Sequence, residues 1–239
     1  MQILDCTLRD GGYYNNWNFD KKLIQKYLNA MSFQKIDYIE IGFRSLFESK
    51  NNGITFKVTD KILNSFKLPK NMKIGVMVNA AEFLKDERSI INLCNKNFTF
   101  SKKSKLKFIR IAAHIYEVRK IIPVIKRLKK LGYFVCLNIM QISEIKNDEI
   151  RSICQISKSN KVDVLYIADS LGCLNSKDLL RIIKEFKKFW NGDFGIHAHD
   201  NLNKALKNSI LAKKNGVNFI DSTLTGMGRG PGNVKTEEI

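Results

Sequence analysis

The stretch Gly195-Ile196-His197-Ala198-His199-Asp200 is a short apolar run that ends in two of the chain's three histidines. In an extended strand, side chains at positions i and i+2 leave the same face, so both imidazoles would point at one cation or one substrate. A run of this length with a polar end is typical of a buried strand. Ordinary strand histidines that bond to neighbouring groups are the alternative interpretation.

Seven further apolar runs, rich in Ile, Val, Phe and Tyr, resemble this one. They cover residues 2–6, 37–41, 73–78, 107–111, 133–139, 162–168 and 217–220, and residues 194–197 complete the set. Apolar residues with helical spacing lie between them, as in 23–31, 118–128 and 179–186. Ser176 is a candidate N-cap of the last of these helices, and Gly132 and Gly216 are candidate C-terminal caps. Strands that alternate with helices, about thirty residues per repeat, predict a parallel βα architecture.

We expect these α/β repeats to close into a (β/α)8 TIM barrel rather than an open doubly wound sheet. The runs number eight, and no Gly-x-Gly-x-x-Gly follows the first, where a dinucleotide-binding fold would place it. Residues 235–239 leave room only for the start of an eighth helix, so this helix should be largely absent from the chain. A single barrel domain over 1–239 is expected, either alone or as the N-terminal part of a longer protein.

Composition places the chain among ordinary globular proteins, with 44% hydrophobic and 27% charged residues. No run approaches the roughly 18 apolar residues of a membrane span, and no secretory signal pattern begins the chain, so we expect a cytoplasmic protein without a membrane partner. The formal net charge is +18, but the lysines are spread over several predicted elements, so nucleic acid is not an expected partner. The charge would instead help to attract an anionic small molecule.

Five scattered cysteines without a C-x-x-C pair predict reduced packing residues. A nucleophilic role for Cys6 or Cys173, near predicted strand ends, is the alternative.

Polar side chains follow several of the predicted strands. Arg9 and Asp10 follow the first, His114 follows the fourth, and the seventh carries His197 and His199. In a (β/α)8 barrel the carboxyl ends of the strands meet on one face, and the chemistry lies there. All three histidines therefore fall at one end of the predicted barrel.

Three segments resemble the signatures of the DRE-TIM metallolyases: Leu8-Arg9-Asp10-Gly11, His197-Ala198-His199-Asp200-Asn201 and Gly226-Met227-Gly228-Arg229-Gly230-Pro231-Gly232-Asn233. That superfamily contains 4-hydroxy-2-oxoacid aldolases, 3-hydroxy-3-methylglutaryl-CoA (HMG-CoA) lyase and the isopropylmalate and homocitrate synthases. The segments occur in the expected order over nearly the whole chain. Segments 110–114 and 166–170 and the glycine loop look most similar to the aldolase branch, that of 4-hydroxy-2-oxovalerate aldolase.

The resemblance implies a divalent metal site formed by Asp10, His197 and His199, with Asn233 as a further oxygen ligand. Such mixed ligation suits Mn²⁺ or Mg²⁺, and also Zn²⁺ or Co²⁺. The ion would bind a 2-oxo acid and stabilise the enolate that forms when the carbon–carbon bond breaks, with Arg9 beside the enolate oxygen. The implied enzyme is a lyase that cleaves or forms a 4-hydroxy-2-oxo acid from a pyruvate-like enolate and an aldehyde.

Further site residues follow from position at the predicted strand ends. His114 is a candidate proton carrier. Asp169 and Asp221 would either orient the histidines or begin turns. Glu40 and Arg44 would either shape the pocket or pair with each other. The candidate substrate-binding residues are Arg9, Arg44, Asn138, Ser170, Gly228 and Arg229.

Tyr13 departs from the family pattern, because aldolases of this branch carry a histidine at that place. A phenol with a reference pKa of about 10 is a poor base at neutral pH. The catalytic proton acceptor would therefore be Tyr13 in an altered environment, Tyr14, His114 or metal-bound hydroxide. The identity of the aldehyde is open as well, and the polar loop 13–18 suggests a sugar-derived one.

Two other functions are compatible with the same motifs. One is a Claisen-type acyl-CoA lyase or synthase of the HMG-CoA lyase or isopropylmalate synthase kind, and the other is a non-catalytic barrel used for binding or assembly. As for partners, we expect a small-molecule 2-oxo acid and an aldehyde, together with a homo-oligomer or a further domain.

Overall fold

Parallel strands close into an eight-stranded barrel in the computed structural model, which describes residues 1–239 apart from the side chain of Glu87. Every strand pairs with the next in the chain, and the last pairs with the first, where Leu4 lies opposite Asp221. All eight apolar runs form strands, so the predicted barrel is confirmed. The strands are β1 (Gln2–Asp5), β2 (Tyr38–Phe43), β3 (Lys73–Asn79), β4 (Phe108–Ala113), β5 (Phe134–Ile139), β6 (Val164–Asp169), β7 (Asp193–Ala198) and β8 (Phe219–Ser222).

Helices connect the strands around the outside of the barrel. After β8 the described chain continues through a 3₁₀ turn (Leu224–Gly226), bends, turns and isolated β-bridges at Asn233 and Lys235, without a further α-helix. No described helix is both long and apolar enough to cross a membrane. The helices are α1 (Thr7–Asp10), α2 (Lys21–Phe33), α3 (Asp60–Asn64), α4 (Ala80–Leu84), α5 (Ile90–Asn97), α6 (Ile122–Lys130), α7 (Asn147–Ser159), α8 (Ser176–Phe189) and α9 (Ala205–Lys214).

The helix caps agree with the sequence at two positions and differ at a third. Gly132 and Gly216 follow α6 and α9 with φ of 86° and 82°, the left-handed conformation that ends many helices. The prediction of Ser176 as an N-cap is wrong, because it is the first residue of α8. Asn175 is the cap, and its side-chain oxygen accepts a hydrogen bond from the Asp178 N–H at 2.9 Å.

Side chains along each strand alternate between two environments, as the period of two requires. Outward-facing residues such as Ile39 and Ile109 pack in the main apolar core between strands and helices. Inward-facing residues fill the barrel, where Tyr166 and Phe219 belong to a separate apolar cluster. Gly195 makes room for this packing, since a Cβ there would lie 2.3 Å from the Tyr166 ring. The inward positions closer to the carboxyl ends are polar, and they form the floor of the site described below.

The cap of α8 allows a direct test with two adjacent substitutions. We expect Asn175→Ala to lower the free energy of unfolding by about 1 kcal/mol, since the Asp178 N–H loses its acceptor. Ser176→Ala should change it by less than about 0.5 kcal/mol, because Ser176 is not the capping residue. Urea denaturation of both variants measures the difference. A larger loss for Ser176→Ala would contradict the assignment.

Candidate active site

A closed ring of buried ion pairs and hydrogen bonds crosses the inside of the barrel. We call it the charged ring, and it runs through Glu40, Arg9, Asp10, His197, Asp221 and Arg110 back to Glu40. Its members come from β2, α1, β7, β8 and β4, so residues distant in the chain meet only when the barrel closes.

Arg9 holds one side of the charged ring. Its Nε donates to Glu40 Oε1 at 2.6 Å, and its Nη1 donates to Asp10 Oδ1 at 2.6 Å. The indole N–H of Trp17 donates to the Arg9 carbonyl at 2.8 Å and thereby fixes the backbone of the α1 turn. The remaining nitrogen, Arg9 Nη2, is buried without a hydrogen-bond partner. Arg9 also lines the cavity above the ring.

Arg110 forms the opposite side of the charged ring. Its Nη2 donates to Asp221 Oδ2 at 2.5 Å, its Nη1 donates to Glu40 Oε2 at 3.2 Å, and its guanidinium lies 4.3 Å from the centre of the Tyr166 ring. Asp221 Oδ2 also lies 2.8 Å from His197 Nδ1. His197 Nε2 is therefore directed toward Asp10, whose Oδ2 lies 3.5 Å away. A carboxylate behind an imidazole in this way orients metal-binding histidines.

Three side chains with ligating atoms converge at the edge of the ring. Those of Asp10, His197 and His199 all lie within 4.8 Å of one another, and all three residues are buried. Asn233 Nδ2 donates to Asp10 Oδ2 at 2.5 Å, which leaves the buried Asn233 Oδ1 without a partner. This set of carboxylate, imidazole and carbonyl groups suits a divalent cation such as Mn²⁺ or Mg²⁺.

The net charge of the ring also fits a dication. With His197 neutral, the two arginines and three carboxylates leave one uncompensated negative charge in a buried environment, which is costly. A bound divalent cation would reverse that sign and leave room for an anionic substrate.

The pKa shifts of Asp10 and His199 suit roles as ligands, whereas that of His197 favours the protonated form that a bound cation would displace. Burial alone would raise the pKa of Asp10, but Arg9 together with His197 and His199 outweighs it and holds that pKa far below its usual range. Burial, followed by the proximity of His197, lowers the pKa of His199 to about 4, so its imidazole is neutral near pH 7. Burial also lowers the pKa of His197, but its hydrogen bonds to Asp10 and Asp221 outweigh this and raise it.

A cavity of about 80 Å³ opens above the charged ring, at the carboxyl ends of the strands. One side is apolar and contains Phe43, Met77, Ala112 and Met140. The cavity is thus amphipathic, with a charged floor and a hydrophobic wall. The predicted site residues that line it are Arg9, Asp10, Tyr13, Asn138, Ser170, His197, His199 and Arg229.

Gly228 approaches the ligands closely. A Cβ at this position would lie 3.0 Å from Asp10 Oδ2 and 2.1 Å from Asn233 Nδ2, so only glycine fits there.

Arg44 and His114 do not line this cavity. Arg44 lies outside the barrel, where its Nε donates to the Val58 carbonyl at 2.6 Å, so the expected pairing of Arg44 with Glu40 does not occur. The ring of His114 stacks on Tyr116, with centroids 5.4 Å apart, and faces a neighbouring cavity. The two cavities share only Met140 among their described lining residues.

Asp169 and Asp221, which the sequence left with the same two alternatives, differ in role. Asp221 holds His197, whereas Asp169 accepts hydrogen bonds from the backbone N–H groups of Cys173 and Leu174 and begins a turn. Cys6 is buried, and burial raises the pKa of its thiol, as suits a packing residue.

Arg110 was missed by sequence reasoning as a site residue, and of the two alternatives for Glu40 the pairing with Arg44 is wrong, since Glu40 pairs with Arg9 and Arg110. The sequence did contain a signal for this pairing. Arg110 lies two residues after the inward-facing Phe108 in β4, and Glu40 lies two residues after the inward-facing Tyr38 in β2. Both charged side chains therefore point into the barrel from otherwise apolar strands. A charged residue at an inward position of a barrel strand needs a buried partner. The alternation of side chains along β2 and β4 therefore predicts that Glu40 and Arg110 face each other inside the barrel.

The comparison with known proteins covers the whole chain. The HMGL-like family model matches residues 1–239. A 4-hydroxy-2-oxovalerate aldolase of Geobacillus genomosp. 3 is 25% identical over 242 residues, which cover 100% of this chain and 69% of that protein. An oxaloacetate decarboxylase of Mycobacterium tuberculosis is 23% identical and covers 98% of this chain and 67% of that protein.

Solved structures agree with these relatives. The N-terminal domain of a Bacteroides vulgatus protein described as an aldolase superposes with a TM-score of 0.84 at 33% identity, over 99% of this chain and 77% of that one. The HMG-CoA lyase of Bacillus subtilis superposes with a TM-score of 0.80 at 15% identity, over 100% of this chain and 83% of that one, which shows a shared fold.

The different positions of Asp221 and Asp169 predict different effects on metal binding. We expect Asp221→Asn to weaken Mn²⁺ binding by about 10- to 100-fold, because His197 loses the carboxylate that orients it. Asp169→Asn should leave the affinity within about twofold, since its contacts are to a turn. Calorimetric titration measures both, and circular dichroism shows that each variant is folded. An equal loss in the two variants would contradict the assignment.

Proposed function

The chain belongs to the HMGL-like family, and on that premise we propose that it is a divalent-metal-dependent aldolase acting on 4-hydroxy-2-oxo acids. It would cleave such an acid to a pyruvate-like enolate and an aldehyde, or form it from them. The observation that carries the proposal is the convergence of Asp10, His197 and His199 with the unpartnered Arg9 Nη2 at one cavity. Two relatives carry names that denote 2-oxo acid substrates, which supports the same class.

Asp10, His197 and His199 are the proposed metal ligands, and the free Asn233 Oδ1 is a further one. Mn²⁺ or Mg²⁺ suits the set, with Zn²⁺ or Co²⁺ as alternatives. Such a cation supplies Lewis-acid polarisation of the oxo acid's carbonyl group. Asp221 keeps His197 oriented, and Arg9 is the largest of the contacts that favour the ionised form of Asp10.

In cleavage, the 4-hydroxyl loses its proton and its O–H electron pair forms the C4=O bond of the aldehyde. The bond between C3 and C4 breaks, its electron pair forms the C2–C3 double bond, and the C2 carbonyl pair moves onto the oxygen. The enolate then takes up a proton at C3 to give pyruvate. Arg9 Nη2 is placed to donate to the C2 oxygen as that oxygen gains negative charge, a donor effect of about 3 kcal/mol in other enzymes. Asn138 Oδ1 already accepts from Arg110, so its amide N–H groups are left for substrate oxygens. Ser170 Oγ accepts from the Gln141 N–H and can donate its own proton to the substrate.

Tyr13, in its phenolate form, is the proposed acceptor of the hydroxyl proton. Among the described residues that line the cavity, the other titratable groups are the metal ligands and two arginines. Tyr13 stands at the rim with its ring edge-on to Trp17, centroids 4.8 Å apart. Of the alternatives, His114 faces the neighbouring cavity, and Tyr14 does not line the site.

Decarboxylation of a 2-oxo dicarboxylic acid is a second candidate reaction. It is favoured because the described cavity lining contains few groups that could accept a hydroxyl proton. Here the C3–C4 bond breaks with release of carbon dioxide, and its electron pair forms the same enolate, which then takes up a proton at C3. Because no hydroxyl proton has to be removed, a tyrosine at position 13 would not slow this reaction. The oxaloacetate decarboxylase relative is consistent with this reaction.

The aldolase proposal predicts metal-dependent release of pyruvate from a 4-hydroxy-2-oxo acid. Chelation should abolish the release, and Mn²⁺ or Mg²⁺ should restore it. Arg9→Lys should lower kcat by about 100-fold or more, since lysine lacks the fork that holds Glu40 and Asp10 while it donates to substrate. The matched control is Arg181→Lys on the outer face of α8, which should retain full activity. Release of free CoA from acyl-CoA substrates without pyruvate would favour the Claisen alternative instead.

The substitution Tyr13→His should affect the rates of the two candidate reactions differently. The imidazole should raise kcat for retro-aldol cleavage by about tenfold or more, because it titrates near neutral pH whereas a phenol does not. Decarboxylation of oxaloacetate should change by less than about threefold, since that reaction needs no base for a hydroxyl. Both rates follow from pyruvate release in a coupled assay. Equal changes in the two rates would show that Tyr13 does not act on the hydroxyl proton.

A further inference from the structure

Arg229 stands at the tip of a tightly closed loop over the cavity. The Asn233 N–H donates to the Gly226 carbonyl at 2.9 Å, and Gly226, Gly230 and Gly232 have φ of 75°, 63° and 92°. The backbone of this loop is therefore held in place while the Arg229 side chain is exposed at the mouth. Its Nη2 reaches across to the end of β6 and donates to the Ser170 carbonyl at 3.1 Å.

Arg229 differs from the two arginines of the floor in having no acidic partner. Arg9 and Arg110 each contact two carboxylates of the charged ring. Among the described residues, the polar contact of Arg229 is a neutral carbonyl, and no carboxylate lies within ion-pair distance. Most of its N–H groups are therefore free for an anion, which a planar guanidinium binds with two parallel hydrogen bonds.

The charge of the site indicates that this anion is not the oxo acid's own carboxylate. With His197 neutral, as a metal ligand must be, the charged ring carries one net negative charge, a bound dication would add two positive charges, and the carboxylate of a 2-oxo acid would bring the floor to zero. Arg229 then contributes one further positive charge at the mouth, where its side chain is exposed while the proposed ligands below are buried. The group that faces it belongs to the other end of the substrate.

We propose that Arg229 binds an anionic group, a carboxylate or a phosphate, carried by the aldehyde half of the substrate. The inference rests on the proposed aldolase function, and it narrows the substrate class to aldehydes with a negative charge. Binding at the Arg229 guanidinium would keep the far end of the aldehyde at the mouth and direct its carbonyl carbon toward the floor. The formal net charge of +18 would favour the approach of such an aldehyde.

The test uses carbon–carbon bond formation between pyruvate and matched aldehydes. One pair is succinic semialdehyde and butanal, which have the same chain length and differ in a terminal carboxylate. The other is glyceraldehyde 3-phosphate and glyceraldehyde, which differ in a phosphate. The metal-loaded protein is assayed as wild type, Arg229→Gln, Arg229→Lys and the distant control Arg181→Gln, whose arginine bonds to Asn147.

We expect the wild type to prefer the anionic member of at least one pair by roughly 10- to 100-fold in kcat/KM, the contribution of a charge-assisted hydrogen bond. Arg229→Gln should abolish the preference while kcat/KM for the neutral aldehyde and KM for pyruvate stay within about twofold. Arg229→Lys should keep part of the preference, and Arg181→Gln should keep all of it. The pair that shows the preference identifies the anion as carboxylate or phosphate.

Three results would overturn the inference while the aldolase proposal stands: equal use of charged and neutral aldehydes, a preference that persists in Arg229→Gln, or a raised KM for pyruvate with every aldehyde in that variant. The last would mean that Arg229 binds the oxo acid's own carboxylate. If no aldehyde of either pair gives a product, the aldolase proposal itself fails. The two failures are thus separable.

Discussion

The charged ring inside the barrel is the constraint on which the rest of the structure depends. Its arginines and carboxylates are almost completely removed from water, and each relies on its neighbours for compensation. Removal of one member would leave a buried charge unpaired, at a cost of about 3–5 kcal/mol. Because the members come from strands on opposite sides of the barrel, the ring forms only when the barrel is closed. The same closure brings Asp10 beside His197, so fold and site are assembled together.

The strands and loops contribute differently to the site. Arg110, His197 and Asp221 project from strands whose register is fixed on both sides by pairing, so their positions are rigid. Arg9 and Asp10 lie on the short turn after β1, which Trp17 and Glu40 hold in place. The rim residues Tyr13 and Arg229 come from loops and are exposed. This division places the groups that need exact geometry on the scaffold and leaves substrate selection to the loops.

Sequence reasoning identified the fold and the separate motifs, because hydrophobic runs and short signatures are local properties of a chain. It brought Asp10, His197 and His199 to one place, and their roles as ligands stay predictions. It failed where a local irregularity changes the direction of a side chain. Glu40 lies in β2, and Arg44 follows the strand at a position of the same parity, yet the strand register shifts between Glu40 and Phe43, and Arg44 turns outward to α3. It also could not show that His114 faces a separate cavity, since both cavities lie at the same end of the barrel.

The order of the ring's members along the chain has a consequence for biosynthesis. Arg9 and Asp10 are among the first residues to leave the ribosome, whereas Asp221 and Asn233 are among the last of this sequence. The nascent chain therefore carries an acidic residue and, later, two histidines without the carboxylate and amide that orient them. On the proposal that these residues hold a divalent cation, its selective uptake has to wait until Asn233 has left the ribosome and the barrel can close around the ligands.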